Sequence, residues 1–99
     1  MNYADKINSD VRLIVLRALY NEPDYSLNSS ILTKILEEFG HVKSRDYVHN
    51  QLRYLEREVQ ALTLRSAGSI LIAQLTQSGR DHVERRRVLT GVDRPSPEA

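Results

Sequence analysis

The 99 residues contain no cysteine and no tryptophan. Without a thiol there is neither a disulfide nor a thiolate metal site, which fits a reducing compartment. No stretch approaches the roughly 20 consecutive apolar residues that span a bilayer. The opening Met1-Asn2-Tyr3-Ala4-Asp5 is too polar for a secretory signal, so the chain is expected in the cytosol, with no membrane partner. Glycine is scarce, four residues in all, and Gly40, Gly68, Gly79 and Gly91 each sit where a cap, turn or break is expected. None is left for a loop that cradles phosphate, and no serine stands in a nucleophile elbow. Glu37-Glu38 and Glu56/Glu58 are helical surface carboxylates without an apolar pocket to raise a pKa, so an enzyme is not expected. His41, His49 and His82 have no ligand-pair spacing and no cysteine beside them, so neither a metal nor any other cofactor is expected. A strong charge imbalance is also missing: the formal net charge is +1.

What is present is an ordinary globular composition, 40% apolar and 27% charged, long enough for one domain with a modest core. The charge has a direction along the chain. Residues 1–40 carry four Lys/Arg against six Asp/Glu, a net −2, while residues 41–99 carry ten against seven, a net +3. The basic half holds the segments that would face a polyanion. There is no internal repeat and no low-complexity tract.

The periodicity predicts a helix over about Ala4 to Tyr20, with Ile7, Val11, Ile14 and Ala18 on one stripe and Leu13, Leu16 and Tyr20 nearly opposite. A helix apolar on two faces is either enclosed or shared with a partner, and full enclosure is hard in so small a domain. A homodimer through the first and last helices is therefore expected. Pro23 stops the helix or lies just past its end. Tyr25-Ser26-Leu27 is short and extended, suited to bridging the later hairpin. Asn28 caps a second helix that presents Ile31, Leu32, Ile35, Leu36 and Phe39 as one apolar face, and Gly40 closes it in a left-handed conformation. His41-Val42-Lys43 turns the chain, with Val42 expected to plug the angle between helices. Ser44 caps a third helix, residues 44–60, whose Val48, Leu52 and Leu55 share about 60° of arc. Leu62 and Leu64, answered by Ile70, Ile72 and Leu75, predict a hairpin turning at Ser66-Ala67-Gly68-Ser69. Thr76 caps a fourth helix running to about Leu89, with Val83 as its core contact and Arg85-Arg86-Arg87 offsetting the dipole at its end. Arg80 and His82 are expected on its surface. Residues 1–89 form the domain, and 90–99 are expected as a flexible tail.

Helix, turn, helix, then a two-stranded wing is an order that most often builds a DNA-reading module. The outward arc of the third helix carries Asp46, Asn50, Arg53 and Arg57, flanked by His49 and Tyr54. A major groove admits one helix, and long polar side chains there reach base edges. Asn50 suits adenine; Arg53 suits guanine or a phosphate. Lys43, Ser44, Arg45 and Tyr47 surround the helix start, where free amides favour anions. Arg65 is the one basic residue of the hairpin and the natural wing contact. Arg85, Arg86 and Arg87 could extend a phosphate contact or meet an acidic protein patch.

Val48-x-x-x-Leu52-x-x-Leu55-Glu56, Leu62-Thr63-Leu64, and Leu75-Thr76-Gln77-Ser78-Gly79-Arg80 resemble the winged helix-turn-helix core of bacterial transcription regulators over roughly residues 8–88. Leu32-Thr33, Phe39-Gly40-His41, Ser44-Arg45-Asp46 and the tail from Gly91 to Pro97 are similar to a small winged-helix protein family of Mu-like bacteriophages and prophages. The resemblance implies an α+β, mostly α, winged-helix fold and a DNA-binding transcriptional regulator in the host cytosol. The chain departs from the pattern at Gln60-Ala61-Leu62, where Gly-Leu-Val is usual, and Asp46 and Glu58 would repel phosphate. A protein-interaction adaptor, or a component of phage DNA packaging or assembly, is the alternative.

Overall fold

A computed structural model describes residues 2–96. About half the chain is helical. The order is α1 (Tyr3–Tyr20), β1 (Ser26–Asn28), α2 (Ser29–Glu38), α3 (Arg45–Arg57), β2 (Leu62–Ala67), β3 (Ile70–Leu75) and α4 (Gln77–Val83). The three strands form one antiparallel sheet in the order β1-β3-β2. The class is α+β. No helix among the described residues is long and apolar enough to cross a membrane.

Each helix starts where a short polar side chain accepts a free amide of the first turn. Asn2 accepts from Asp5 N at 2.8 Å, Asn28 from Ile31 N at 2.9 Å, Ser44 from Tyr47 N at 3.1 Å and Thr76 from Gly79 N at 3.2 Å. Each such cap contributes about 1 kcal/mol.

The first helix is largely enclosed within one chain. Val11, Leu16 and Leu19 have no exposed surface, because α2, α3, α4 and β3 all pack against α1. Most of both apolar faces is thus covered within one chain, although full enclosure is hard in so small a domain. Burying each of these side chains stabilises the fold by about 1.5–3 kcal/mol.

Along α2 the apolar arc and the buried arc do not coincide. Leu32 and Leu36 are buried, but Ile31 is 42% and Phe39 64% exposed. The inward position is taken instead by Ser29, whose Oγ accepts from Leu71 N at 3.0 Å inside the core. A satisfied serine is compatible with burial, and it rotates the helix away from the centre of its own hydrophobic pattern. The end of α2 is a Schellman closure: Gly40 N donates to Glu37 O (3.0 Å), His41 N donates to Leu36 O (2.9 Å), and Gly40 takes φ 89°. Past it the next two side chains have opposite fates. His41 turns in, its Nε2 lying 2.7 Å from Asp10 Oδ2. Val42 turns out and is 78% exposed, so it does not plug the interhelical angle.

Val48, Leu52 and Leu55 are fully buried, as the periodicity of α3 requires. The chain then passes through Gln60 at φ 51°, the position at which glycine is usual in the resembled pattern. Ala61 N donates to Leu55 O at 2.7 Å. In the hairpin the direct partners are Leu62↔Leu75, Leu64↔Ala73 and Ser66↔Leu71. Opposed residues share a face. The inward set of β3 is therefore Leu71, Ala73 and Leu75, all buried, and the expected Ile70 and Ile72 lie on the other face. The turn is Gly68-Ser69 alone, with Ala67 paired to Ile70. Two-residue and four-residue connections have the same parity, so Leu62 and Leu64 oppose members of the set Leu71, Ala73 and Leu75 with either; Ile70 and Ile72 would face inward only with a connection of odd length.

The fourth helix is only seven residues long and stops at Val83, six residues before Leu89. Arg85–Arg87 therefore lie beyond its end instead of within its last turn. Gly79 is no break: an added Cβ there would overlap Ala61 O and Leu75 Cδ1, so it lets α4 sit directly on the sheet. His82, expected on the surface, is fully buried. Its Nδ1 accepts from Leu89 N (3.1 Å) and its Nε2 donates to Asp93 O (2.8 Å), partners that define the neutral Nε2–H tautomer.

The segment expected to be a flexible tail from residue 90 is packed onto the domain as far as it is described. Leu89, Val92 and Pro95 are buried. Arg12 Nη1 donates to Gly91 O (2.9 Å), Tyr54 Oη to Thr90 O (2.9 Å), and Asp93 N to Ser9 O (3.1 Å). Residues 97–99 of that expectation lie outside the described residues.

Candidate nucleic-acid interface

The inward stripe of α3 leaves an opposite arc free. At about 100° per residue, Arg53, Asp46, Arg57 and Asn50 fall within roughly 60° of one another, facing away from Val48, Leu52 and Leu55. Asn50 and Arg57 are exposed and Arg53 is half-buried. No described residue bonds to the side chains of Asn50, Arg53 or Arg57, and the bonds from the described C-terminal segment reach α3 elsewhere. It meets α3 at Tyr54, on the flank of this arc. Arg45, at the helix start, is exposed as well.

The other expected contacts are built into the scaffold to different degrees. Ser44 is the helix cap. Tyr47 is half-buried, its hydroxyl donating to Asn8 Oδ1 of α1. Burial raises its pKa above the usual value, with Arg12 acting in the opposite sense. Lys43 Nζ lies 4.8 Å from the centroid of the Tyr47 ring, so the tyrosine positions a cation beside the helix start while its own hydroxyl is engaged. His49 Nε2 lies 3.1 Å from Ser29 Oγ. Since that oxygen already accepts from Leu71 N, one serine ties α3 to the start of α2 and to the sheet. Burial, then the charges of Arg53 and Arg45, lower the pKa of His49, which Asp46 partly opposes. Arg65 is exposed on the hairpin, its Cα opposite Ile72.

The two acidic residues that could oppose phosphate differ. Asp46 remains on the outward arc. Glu58 lies about 100° from Arg57 on the helix end, off the arc. Glu56 is withdrawn differently, its Oε2 accepting from Leu64 N at 2.9 Å where the hairpin begins. What faces outward from α3 is thus Asn50, Arg53 and Arg57 against a single Asp46, with Arg45 at the start.

Some residues that orient this helix were not legible in the sequence as functional. Arg12 Nε donates to buried Gln51 Oε1 (2.8 Å), and its guanidinium stacks 3.6 Å from the centroid of the Tyr54 ring. Together with the bond to Gly91 O, these contacts lock α1, α3 and the C-terminal segment into one unit. Nothing local marked Arg12 out, since α1 also carries Asp5, Lys6, Asp10 and Arg17. Gly91 has φ 78°, and a Cβ there would overlap Tyr54 Oη and crowd Arg12 Nη1. Among the described residues no group of three or more His, Asp or Glu side chains could hold a metal ion.

Comparison with known proteins finds two relatives. The chain is 37% identical over 95 residues to "Uncharacterized protein gp26" of Escherichia phage Mu, covering 96% of this chain and 97% of that protein. It is 36% identical over 77 residues to an "Uncharacterized protein" of Haemophilus influenzae, covering 78% of this chain and 74% of that one. No family model matches, and no solved structure gives a significant match.

Proposed function

The chain belongs to the family of gp26 from phage Mu, and we propose that it is a non-enzymatic DNA-binding protein on a winged-helix scaffold, serving transcriptional regulation in a phage or prophage. The observation that carries the reading is the outward arc of α3. Asn50, Arg53 and Arg57 project from a helix held rigidly by three fully buried residues, by the Arg12–Gln51 bond and by the Ser29–His49 contact. Side chains of this kind on one exposed helix face fit a major groove, where asparagine bonds adenine and arginine bonds guanine. Arg45 and Lys43 at the helix start, and Arg65 on the hairpin, supply phosphate contacts.

The test is binding to duplex DNA selected from phage and host sequence, with variants. Arg53→Ala should weaken binding by about 1–3 kcal/mol and relax base preference, whereas Arg45→Ala should weaken all sequences alike. Wild-type protein that shows no salt-dependent affinity for any duplex at about 50 mM salt overturns the reading.

One observation favours a second reading, a protein-interaction or assembly role that includes the homodimer. A groove of about 630 Å³ between α1 and α2 sets Leu13, Ile14, Ala18, Ile35 and the exposed Phe39 among Asp10, Arg17, Asn21, Glu22 and Glu38. Sedimentation decides it: a dimer that Phe39→Ser dissociates supports this role, and a monomer at high concentration removes the homodimer.

A further inference from the structure

The end of α4 puts a cation where the backbone disfavours any side chain. Arg85 N donates to His82 O (3.1 Å) and Arg86 N to Asp81 O (2.7 Å). This is the same paired closure that ends α2. At α2 the left-handed position is Gly40; here it is Arg85, at φ 65°. A residue with a Cβ is strained in that conformation and glycine is the usual solution. The strain at Arg85 is not explained by packing, since its side chain is exposed.

Beside this turn lies a cleft of about 470 Å³, with Arg85, Arg87 and Arg94 among its walls and no carboxylate among the described residues that line it. Among the described residues the one arginine–carboxylate pair is Arg86–Glu84, so none of these three arginines has an acidic partner there. The cleft is also held in shape. Arg87 Nη1 donates to Ser78 Oγ at 2.8 Å, fixing it against α4. The buried His82 ring bonds the backbone of Leu89 on one edge and Asp93 on the other, which ties both arms of the segment carrying Arg87 and Arg94 to one point. Three arginines thus line one cleft with no carboxylate among its described walls, a charge pattern that favours an anionic ligand.

We propose that this cleft binds the phosphodiester backbone of nucleic acid, as a contact separate from the α3 arc. The guanidinium fork matches phosphate oxygens two at a time, and the cationic walls are all arginine. A peptide partner of mixed composition would also use apolar anchors, and an acidic one is set apart by the test below. Of the apolar walls here, Pro95 is already packed into the domain and Val88 alone is exposed. The cleft's role rests on the proposed function only for the choice of polyanion.

The test uses the full chain and a labelled duplex of about 20 base pairs of arbitrary sequence, with the affinity followed against salt concentration. Removing one phosphate contact should flatten the slope of log K against log salt by about 0.9, so Arg85→Gly/Arg94→Gln should flatten it by about two. Arg94→Gln alone, at an exposed site, should take about one. The thermal midpoint of Arg85→Gly should be unchanged or higher than wild type, which separates impaired binding from impaired folding. If both variants keep the wild-type slope while Arg53→Ala weakens binding, the cleft is overturned and the α3 reading stands. If the cleft variants flatten the slope and Arg53→Ala and Asn50→Ala change nothing on the selected duplex as well, the cleft stands and the α3 reading falls. Absence of any duplex binding overturns both. An oligoglutamate peptide that binds more tightly than the duplex at equal charge makes the ligand an acidic protein and also overturns the proposal.

Discussion

Two helix ends in this molecule use the same hydrogen-bond closure and fill its left-handed position differently. At the end of α2 it is Gly40, open to solvent on all sides, with no atom within 4 Å of where a Cβ would stand. At the end of α4 it is Arg85, beside a cleft lined with two further arginines. The first arrangement needs only a residue that tolerates positive φ. The second accepts backbone strain and gains a charge at a chosen place. The same departure occurs at Tyr25 (φ 59°) and Gln60 (φ 51°), so what sets the α4 end apart is the cleft that Arg85 shares with Arg87 and Arg94.

Substitutions at the left-handed positions sharpen the contrast. The largest effect is expected at Gly91, which combines φ 78° with crowding by Tyr54 and Arg12. Gly91→Ala should destabilise by about 2–4 kcal/mol, since strain and overlap add, and urea unfolding measures it. Gly40→Ala meets the strain without the overlap and should destabilise by about 1 kcal/mol. Arg85→Gly should change sign, stabilising by about 0.5 kcal/mol, the relieved strain exceeding the added freedom of the unfolded chain. A destabilised Arg85→Gly would mean that the arginine supports the fold, and the contrast between the two helix ends would lose its point.

The smallest effect concerns His49. Its pKa is lowered in the fold by burial and by Arg53 and Arg45, so the folded state disfavours the protonated ring. The corresponding stability is present above the unfolded value of about 6.5 and is lost as pH falls through the lowered folded value. Wild-type protein should therefore lose more of its urea midpoint than His49→Asn between about pH 7.5 and 5. Equal losses would show that the Ser29–His49 contact does not depend on the neutral ring.

Much of the scaffold was legible because its signals are local. Asn28, Ser44 and Thr76 cap helices through amides three residues away, and Gly40 closes α2 within the next two. Val48, Leu52 and Leu55 face inward because one period governs a helix whose polar and apolar residues separate cleanly. The legible part of the candidate site is what that same period leaves outside, Asn50, Arg53 and Arg57. Where the reading failed, a distant partner had intervened. Ser29 took an inward place that Ile31 and Phe39 suit better by hydrophobicity, because Leu71 N needed an acceptor. The inward face of β3 follows from an even-length turn, which sets odd-numbered residues opposite Leu62 and Leu64 and leaves Ile70 and Ile72 outside despite their hydrophobicity. Tyr47 and His49 were read as outward groups, yet their polar atoms reach Asn8 and Ser29, which lie 39 and 20 positions away.

The amino-acid order by itself determined the succession of elements, the caps and the stripe that orients α3, since each rests on interactions within a turn or two of chain. Only the tertiary structure decided that most of α1 is covered within one chain, that His82 and Arg12 anchor residues 89–93, and that Arg85, Arg87 and Arg94 share a cleft. Those outcomes rest on contacts between residues far apart in the chain, and a side chain carries no local mark of which distant backbone oxygen will accept its proton.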